Sequence, residues 1–216
     1  MEKTEHYIPA LGYHWLTPLY DPLMNRFMHE EMLHSRLVLQ ADILPGMRVL
    51  DLGCGTGSLT TLIKQSHLKS QVYGLDADGQ VLEIARTKTN HSGVDVTLEQ
   101  GLAYQLPYSD GWFDRVLSSL VFHHLTSEQK QRAFSEIYRV LRPGGRFYLL
   151  DFGNPHNTYT RLISQIIRRT ERAEDNIRGL LPGMMRNAGF INTSELEWFA
   201  TISGSLSLYR AEKLGQ

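Results

Sequence analysis

The stretch Arg48-Val-Leu-Asp-Leu-Gly-Cys-Gly-Thr-Gly-Ser58 constrains the chain more than any other. Val49, Leu50 and Leu52 form an apolar run of the kind that makes a strand buried on both faces. Gly53, Gly55 and Gly57 follow at alternate positions, and Ser58-Leu-Thr-Thr-Leu-Ile-Lys64 reads as the first turns of a helix. Strand, glycine loop and helix open a βαβ unit. The glycines let the backbone turn sharply and let a ligand come close to it. The helix start behind them offers N–H groups that suit a carboxylate or phosphate. A dinucleotide loop wants G-x-G-x-x-G, whereas Gly53-Cys54-Gly55-Thr56-Gly57 gives G-x-G-x-G with Ser58 sixth, which disfavours a nicotinamide dehydrogenase.

Later segments continue the same architecture. Gln71-Val-Tyr-Gly-Leu-Asp76 is a second strand ending in an acid, and a carboxylate there can accept hydrogen bonds from both hydroxyls of a ribose. Ala77 then lies along the edge of an attached base. Asp78 can cap the helix that runs to Asn90. Val94–Glu99 reads as a third strand and Arg115–Ser119 as a fourth. Ligands of open α/β sheets sit at the carboxyl ends of strands, which aims Ser118, Ser119 and Leu120 at the site. Thr126-Ser-Glu-Gln129 carries a helix-capping signature. Leu141-Arg-Pro-Gly-Gly145 turns the chain into a fifth strand ending at Asp151. Asp151 to Pro155 forms a loop at that strand's carboxyl end, and it makes Asp151, Asn154 and His156 candidate substrate contacts or, equally, loop hydrogen-bonders. Two final strands are expected at Glu195–Phe199 and Ile202–Tyr209. The arginines from Arg161 to Arg186 read as a solvated face, or as a binding surface for an anion.

One domain is the default at 216 residues, and 42% apolar with 21% charged residues is ordinary for a soluble globular chain. The net charge of −1 gives no reason to expect a nucleic-acid partner. Cys54 is the one cysteine, so an intramolecular disulfide and a cysteine-based zinc site are both excluded, and a reducing cytoplasm fits. No apolar run reaches the ~18 residues of a membrane span, and the first residues lack a signal-peptide pattern.

With Asp51 before it, the glycine loop resembles the first motif of class I S-adenosylmethionine (SAM) methyltransferases. The group it is most similar to contains the ubiquinone/menaquinone-type C-methyltransferases and many small-molecule methyltransferases. Gly101-Leu-Ala-Tyr-Gln-Leu-Pro-Tyr-Ser-Asp-Gly-Trp-Phe-Asp114 is similar to the family's third motif, usually Gly-Asp-Ala, then Leu-Pro-Phe, then Phe-Asp. Ala103, Leu106-Pro107-Tyr108 and Phe113-Asp114 all match; Leu102 stands where the family usually has an Asp that bonds the adenine amino group. Leu120-Val-Phe-His-His-Leu125 resembles the family's Leu-His-His turn, and Leu141–Gly145 and Leu181–Phe190 also match. The resemblance runs from about Pro18 to Tyr209.

It implies a doubly wound, Rossmann-like sheet of seven strands, mostly parallel with an antiparallel last strand, and helices on both faces. Residues 1–47 would form an aromatic, helical arm or lid, and residues 48–216 the SAM-binding core. The cofactor contacts implied are Tyr20, Asp51, Gly53, Cys54, Gly55, Gly57, Asp76, Ala77, Gly101, Leu102, Ala103, Ser118 and Ser119. Tyr20 has packing as its alternative. Tyr13 and His14 join the candidate substrate contacts. His123 or His124 can serve as a base if the acceptor must lose a proton; the alternative is packing and hydrogen bonding under the loop. No metal is implied.

The reaction expected is transfer of a methyl group from SAM to a small, partly apolar acceptor, with S-adenosylhomocysteine as product. The competitors are a SAM-binding partner or regulator without turnover, which Leu102 favours, and a SAM-fold enzyme doing other chemistry such as cyclisation.

Overall fold

The computed structural model describes residues 30–170 and 172–215. Tyr13, His14 and Tyr20 lie outside the described residues. The first described element is helix α1 (Glu30–Gln40), followed by β1 (Arg48–Leu52), α2 (Ser58–Ser66), β2 (Gln71–Asp76), α3 (Gly79–His91), β3 (Thr97–Gln100) and β4 (Phe113–Ser119). A 3-10 turn at Phe122–His124 leads into α4 (Ser127–Val140) and β5 (Leu141–Phe152). Helices α5 (Thr158–Thr170), α6 (Glu174–Ile177) and α7 (Leu181–Asn187) precede the hairpin of β6 (Ile191–Thr201) and β7 (Gly204–Glu212).

The strands form one seven-stranded sheet in the order β3-β2-β1-β4-β5-β7-β6. Pairing is parallel from β3 through β5, and β7 runs antiparallel to both β5 and β6. This is the doubly wound, Rossmann-like sheet expected. Val49, Leu50 and Leu52 are fully buried because β1 is central and covered on both faces. One face packs on Leu33, Leu37 and Val38 of α1 and on Leu59 and Ile63 of α2. The other packs on Ala133, Phe134, Ile137 and Val140 of α4 and on Leu181 and Met185 of α7.

Local signals place the helix starts. Asp78 caps α3 by accepting from Gln80 N at 2.8 Å. Thr126 and Gln129 form a reciprocal capping box at α4. Long-range pairing moves the strand boundaries. The turn expected over Leu141–Gly145 lies inside β5: Phe113 pairs with Leu141 and Arg115 with Arg146, so the intervening residues bulge out. The loop expected from Asp151 starts later, because β7 lies alongside and pairs Asp151 with Ser207 and Phe152 with Leu206. The third strand starts at Thr97 rather than Val94, whose N–H instead bonds Thr89 O at the end of α3.

The sheet order steps outward in opposite directions from β1 and β4, a topological switch point whose carboxyl ends frame a ligand crevice. The loop after β1 and the turn after β4 meet there.

Candidate active site

The glycine loop is anchored on the neighbouring strand β2. Gly53 N and Cys54 N both donate to Leu75 O, at 2.7 and 3.0 Å, and this bends the chain away from β1. Gly53 has φ 74°, and a Cβ there would lie 2.3 Å from Val121 Cγ2, so glycine is needed for conformation and for packing under the β4 turn. Gly55 has φ 53°, yet a Cβ there would meet nothing within 4 Å. Its open side is therefore a place where backbone can touch a ligand. A Cβ at Gly57 would lie 3.0 Å from Ala85 Cβ of α3.

Asp76 ends β2 beside this loop. Its Oδ2 accepts from Gly55 N at 2.8 Å and its Oδ1 from Asp78 N at 2.9 Å. Burial raises its carboxyl above the ordinary value, against the pull of these N–H donors. A carboxylate has about four lone-pair sites, so Asp76 retains capacity to accept from a diol. The neighbouring edge is held in place: Gly101 N donates to Asp76 O at 2.9 Å and Gln100 Nε2 to Ala77 O at 3.0 Å. Leu102 is 36% exposed and makes an antiparallel bridge with Gln105, while Ala103 packs against the core.

Asp51 is only 1% exposed, and Thr60 Oγ1 donates to its Oδ2 at 2.6 Å. Burial pushes its carboxyl up to about 7, with Asp76 adding to the effect. Cys54 is buried, and burial followed by the charges of Asp51 and Asp76 pushes its thiol up. Both residues thus support the loop from behind. Ser118 is buried as well and donates to Leu52 O at 2.8 Å. Ser119 is half-buried and bonds His34 Nε2 at 3.1 Å.

Around β5 the candidates separate. Asp151 is fully buried. Its Oδ1 meets His123 Nδ1 at 2.9 Å, Phe152 N at 2.7 Å and Asn176 Nδ2 at 3.1 Å, and its Oδ2 accepts from Phe122 N at 2.7 Å. Burial alone would raise this carboxyl, but His123 and the N–H donors hold it below its ordinary value. His123 is 6% exposed, with its ring 4.0 Å from that of His124 and edge-on to Phe152. Burial, then His123, pushes His124 down to about 4. His156 is turned toward β6, while the Asn154 side chain lies beside Gly179. His156 Nδ1 bonds Asn154 O at 2.6 Å, Nε2 lies 3.3 Å from Glu195, and the ring stacks on Trp198.

Four contributors escaped the sequence reading. His34 reaches Ser119 from α1; its signal was a polar residue on the buried Leu33–Leu37–Val38 stripe. Asn176 joins Asp151 from a four-residue helix without any local signature. Arg139 and Glu136 pair on α4 and grip the loop after β3, through Arg139 to Leu106 O and Tyr108 O and through Glu136 to Leu106 N.

A family described as a methyltransferase domain matches residues 50–149. An uncharacterized methyltransferase of Synechocystis is 38% identical over 164 residues, 74% of this chain and 74% of that protein. The ubiquinone/menaquinone biosynthesis C-methyltransferase UbiE of Vibrio vulnificus is 33% identical over 233 residues, 94% of this chain and 86% of that protein. Phosphoethanolamine N-methyltransferase 2 of Haemonchus contortus, solved with S-adenosyl-L-methionine, is similar in fold, with a TM-score of 0.69 at 19% identity over 84% of this chain and 52% of that one.

Proposed function

This chain belongs to the class I SAM-dependent methyltransferases, and on that premise we propose that it methylates a small, partly apolar acceptor at the carboxyl ends of β1, β2, β4 and β5. SAM is the cofactor of the family. When bound it supplies an electrophilic methyl group on a sulfonium.

The residues present fit that group. The open side of Gly55 offers a backbone surface that no Cβ obstructs. Asp76, oriented by two backbone N–H groups, accepts from the ribose hydroxyls. Ala77, Leu102 and Ala103 border the adenine, and Leu102 replaces a carboxylate hydrogen bond with apolar contact. Ser119 and the β4 turn face the methionine half. The chain's contribution to rate is positioning, since holding two reactants in line can lower a barrier by ~7–11 kcal/mol.

The observation that supports the acceptor class is the mix of side chains at the carboxyl ends of β4 and β5. Leu120, Phe152 and Ile177 belong to one apolar cluster there, beside the polar His123–Asp151 pair. The UbiE relative is named for acting in ubiquinone and menaquinone biosynthesis, which agrees with a hydroxyarene acceptor. The test is an S-adenosylhomocysteine-release assay with SAM and 1,4-naphthohydroquinone, catechol, a basic peptide and an RNA oligonucleotide. Release with the hydroxyarenes alone supports the reading, and release with peptide or RNA alone overturns it. Conversion of a polyene probe without S-adenosylhomocysteine release would instead favour cyclase-type chemistry.

A further inference from the structure

Resting on the reading that Ala77, Leu102 and Ala103 border the adenine, we infer that Arg139, locked to Glu136 on α4, is a positioning residue for the cofactor. It fixes the far end of the loop after β3, and so sets how much of the cofactor's affinity comes from the adenine.

That loop is held at two ends with a turn between them. At the near end Gly101 N donates to Asp76 O at 2.9 Å, and a Cβ at Gly101 would lie 2.9 Å from Leu75 Cδ1, so the chain runs close against β2. The turn follows: Gln105 N donates to Leu102 O at 3.0 Å, the two residues form a single antiparallel bridge, and both are exposed. At the far end the partners come from α4. Leu106 N donates to Glu136 Oε2 at 2.8 Å, and Arg139 donates to Leu106 O at 3.1 Å and to Tyr108 O at 2.7 Å. Leu106 is buried, and the Tyr108 ring stands edge-on to Tyr73 and Phe113.

Arg139 is used to capacity. A guanidinium carries five N–H donors. Nε donates to Glu136 Oε1 and Nη2 to Glu136 Oε2, each at 2.8 Å, and Nη2 also reaches Leu106 O. Nη1 serves Tyr108 O and Asp110 Oδ1. The Asp110 side chain is 79% exposed, so that contact adds little. The working unit is the Arg139–Glu136 pair, three residues apart on one face of α4, with the two backbone carbonyls. Its hydrogen bonds hold the Glu136 carboxyl below the ordinary value. A planar fork can span two carbonyls and a carboxylate at once, whereas a lysine is a single point charge with three donors.

The consequence for binding follows from where each half of the cofactor rests. The ribose side meets Asp76 and the glycine loop, both tied to β1 and β2 by backbone hydrogen bonds. The adenine side meets a turn whose far anchor is the clamp on α4. A turn released there spreads over more conformations, and binding must then order it. The penalty falls on the adenine contact alone.

The test compares S-adenosylhomocysteine with S-ribosylhomocysteine, which lacks only the adenine, by competition titration against SAM on the whole chain. In Arg139→Lys the ratio of the two affinities should fall by roughly three- to thirtyfold, the range for a residue that acts without touching the ligand. Glu136→Gln should move the ratio the same way, because an NH₂ donor replaces one oxygen facing Arg139, and it carries the comparison if Arg139→Lys does not fold. Thr126→Ala, which loosens the start of the same helix, should leave the ratio unchanged. Leu102→Asp should raise the ratio in the wild type and raise it less beside Arg139→Lys. Equal weakening of both ligands in the clamp variants, or an equal gain from Leu102→Asp in both backgrounds, would overturn the inference. If Leu102→Asp moves the ratio and neither clamp variant does, the adenine edge stands and the role of Arg139 falls. If none of them moves it, the adenine lies elsewhere and both readings fall.

Discussion

Alanine at Gly53 and at Gly55 should have opposite consequences, although the two glycines are two residues apart in one loop. Both have positive φ, which costs a non-glycine residue ~1–2 kcal/mol. At Gly55 that is the whole cost to the fold, because the added Cβ meets nothing within 4 Å. At Gly53 the Cβ would stand 2.3 Å from Val121 Cγ2, and relieving such overpacking costs about 1–3 kcal/mol more. For a chain of this size ~1 kcal/mol shifts Tm by about 2–4 °C. Gly55→Ala should therefore melt roughly 2–8 °C lower, and Gly53→Ala roughly 4–20 °C lower. Binding should rank the other way for a given loss of stability. Gly55→Ala fills the open side of the loop and should weaken SAM at least tenfold, about 1.4 kcal/mol, while its fold survives. Differential scanning fluorimetry with and without SAM, joined to calorimetric titration, reads both quantities. Wild-type SAM affinity in a folded Gly55→Ala protein would refute the claim that the cofactor touches this backbone.

Restoring the family's carboxylate with Leu102→Asp should tighten SAM by roughly ten- to a hundredfold, the ~1.5–3 kcal/mol of a hydrogen bond to a charged group, and leave Tm nearly unchanged at this exposed position; unchanged affinity in calorimetry would mean the adenine is held elsewhere. Thr126→Ala removes the capping box of α4 and should cost about 1 kcal/mol in urea unfolding without altering SAM affinity. Asp51, raised from 3.8 to about 7 in the folded chain, keeps its proton better folded than unfolded. Its contribution to stability is therefore complete below about pH 4 and is lost as pH rises toward 7, by a few kcal/mol at most. Asp51→Asn should flatten that decline, and identical slopes in urea midpoints between pH 5 and 8 would contradict the buried, protonated acid.

The parts of the site that were legible in sequence are those encoded by short-range chemistry. The G-x-G-x-G spacing, the acid ending a strand at Asp76, and the caps at Asp78 and Thr126 each depend on residues within one turn of chain. What escaped depends on contacts between distant elements. Nothing near Leu141 announces that β4 will pair with the chain on both sides of a Pro-Gly-Gly bulge. His34 lies on a helix stripe where sequence reads only burial, and its contact with Ser119 exists because α1 packs across the sheet. Asp151 looked like a loop residue open to substrate. Pairing with β7 drew it inside, where His123, Asn176 and two N–H groups converge on it. What separates His123 from His124 was closed to sequence for the same reason, since adjacent residues differ only in what the fold sets opposite them.

The account stands most directly on calorimetric titration of SAM and S-adenosylhomocysteine onto the wild type and Asp76→Ala. It predicts that both ligands bind the wild type with one-to-one stoichiometry and that Asp76→Ala, still folded by its melting curve, loses at least tenfold in affinity for each. Equal affinity in the two proteins, or no binding to the wild type, would contradict the placement of the cofactor across the Gly55–Asp76 edge of the sheet.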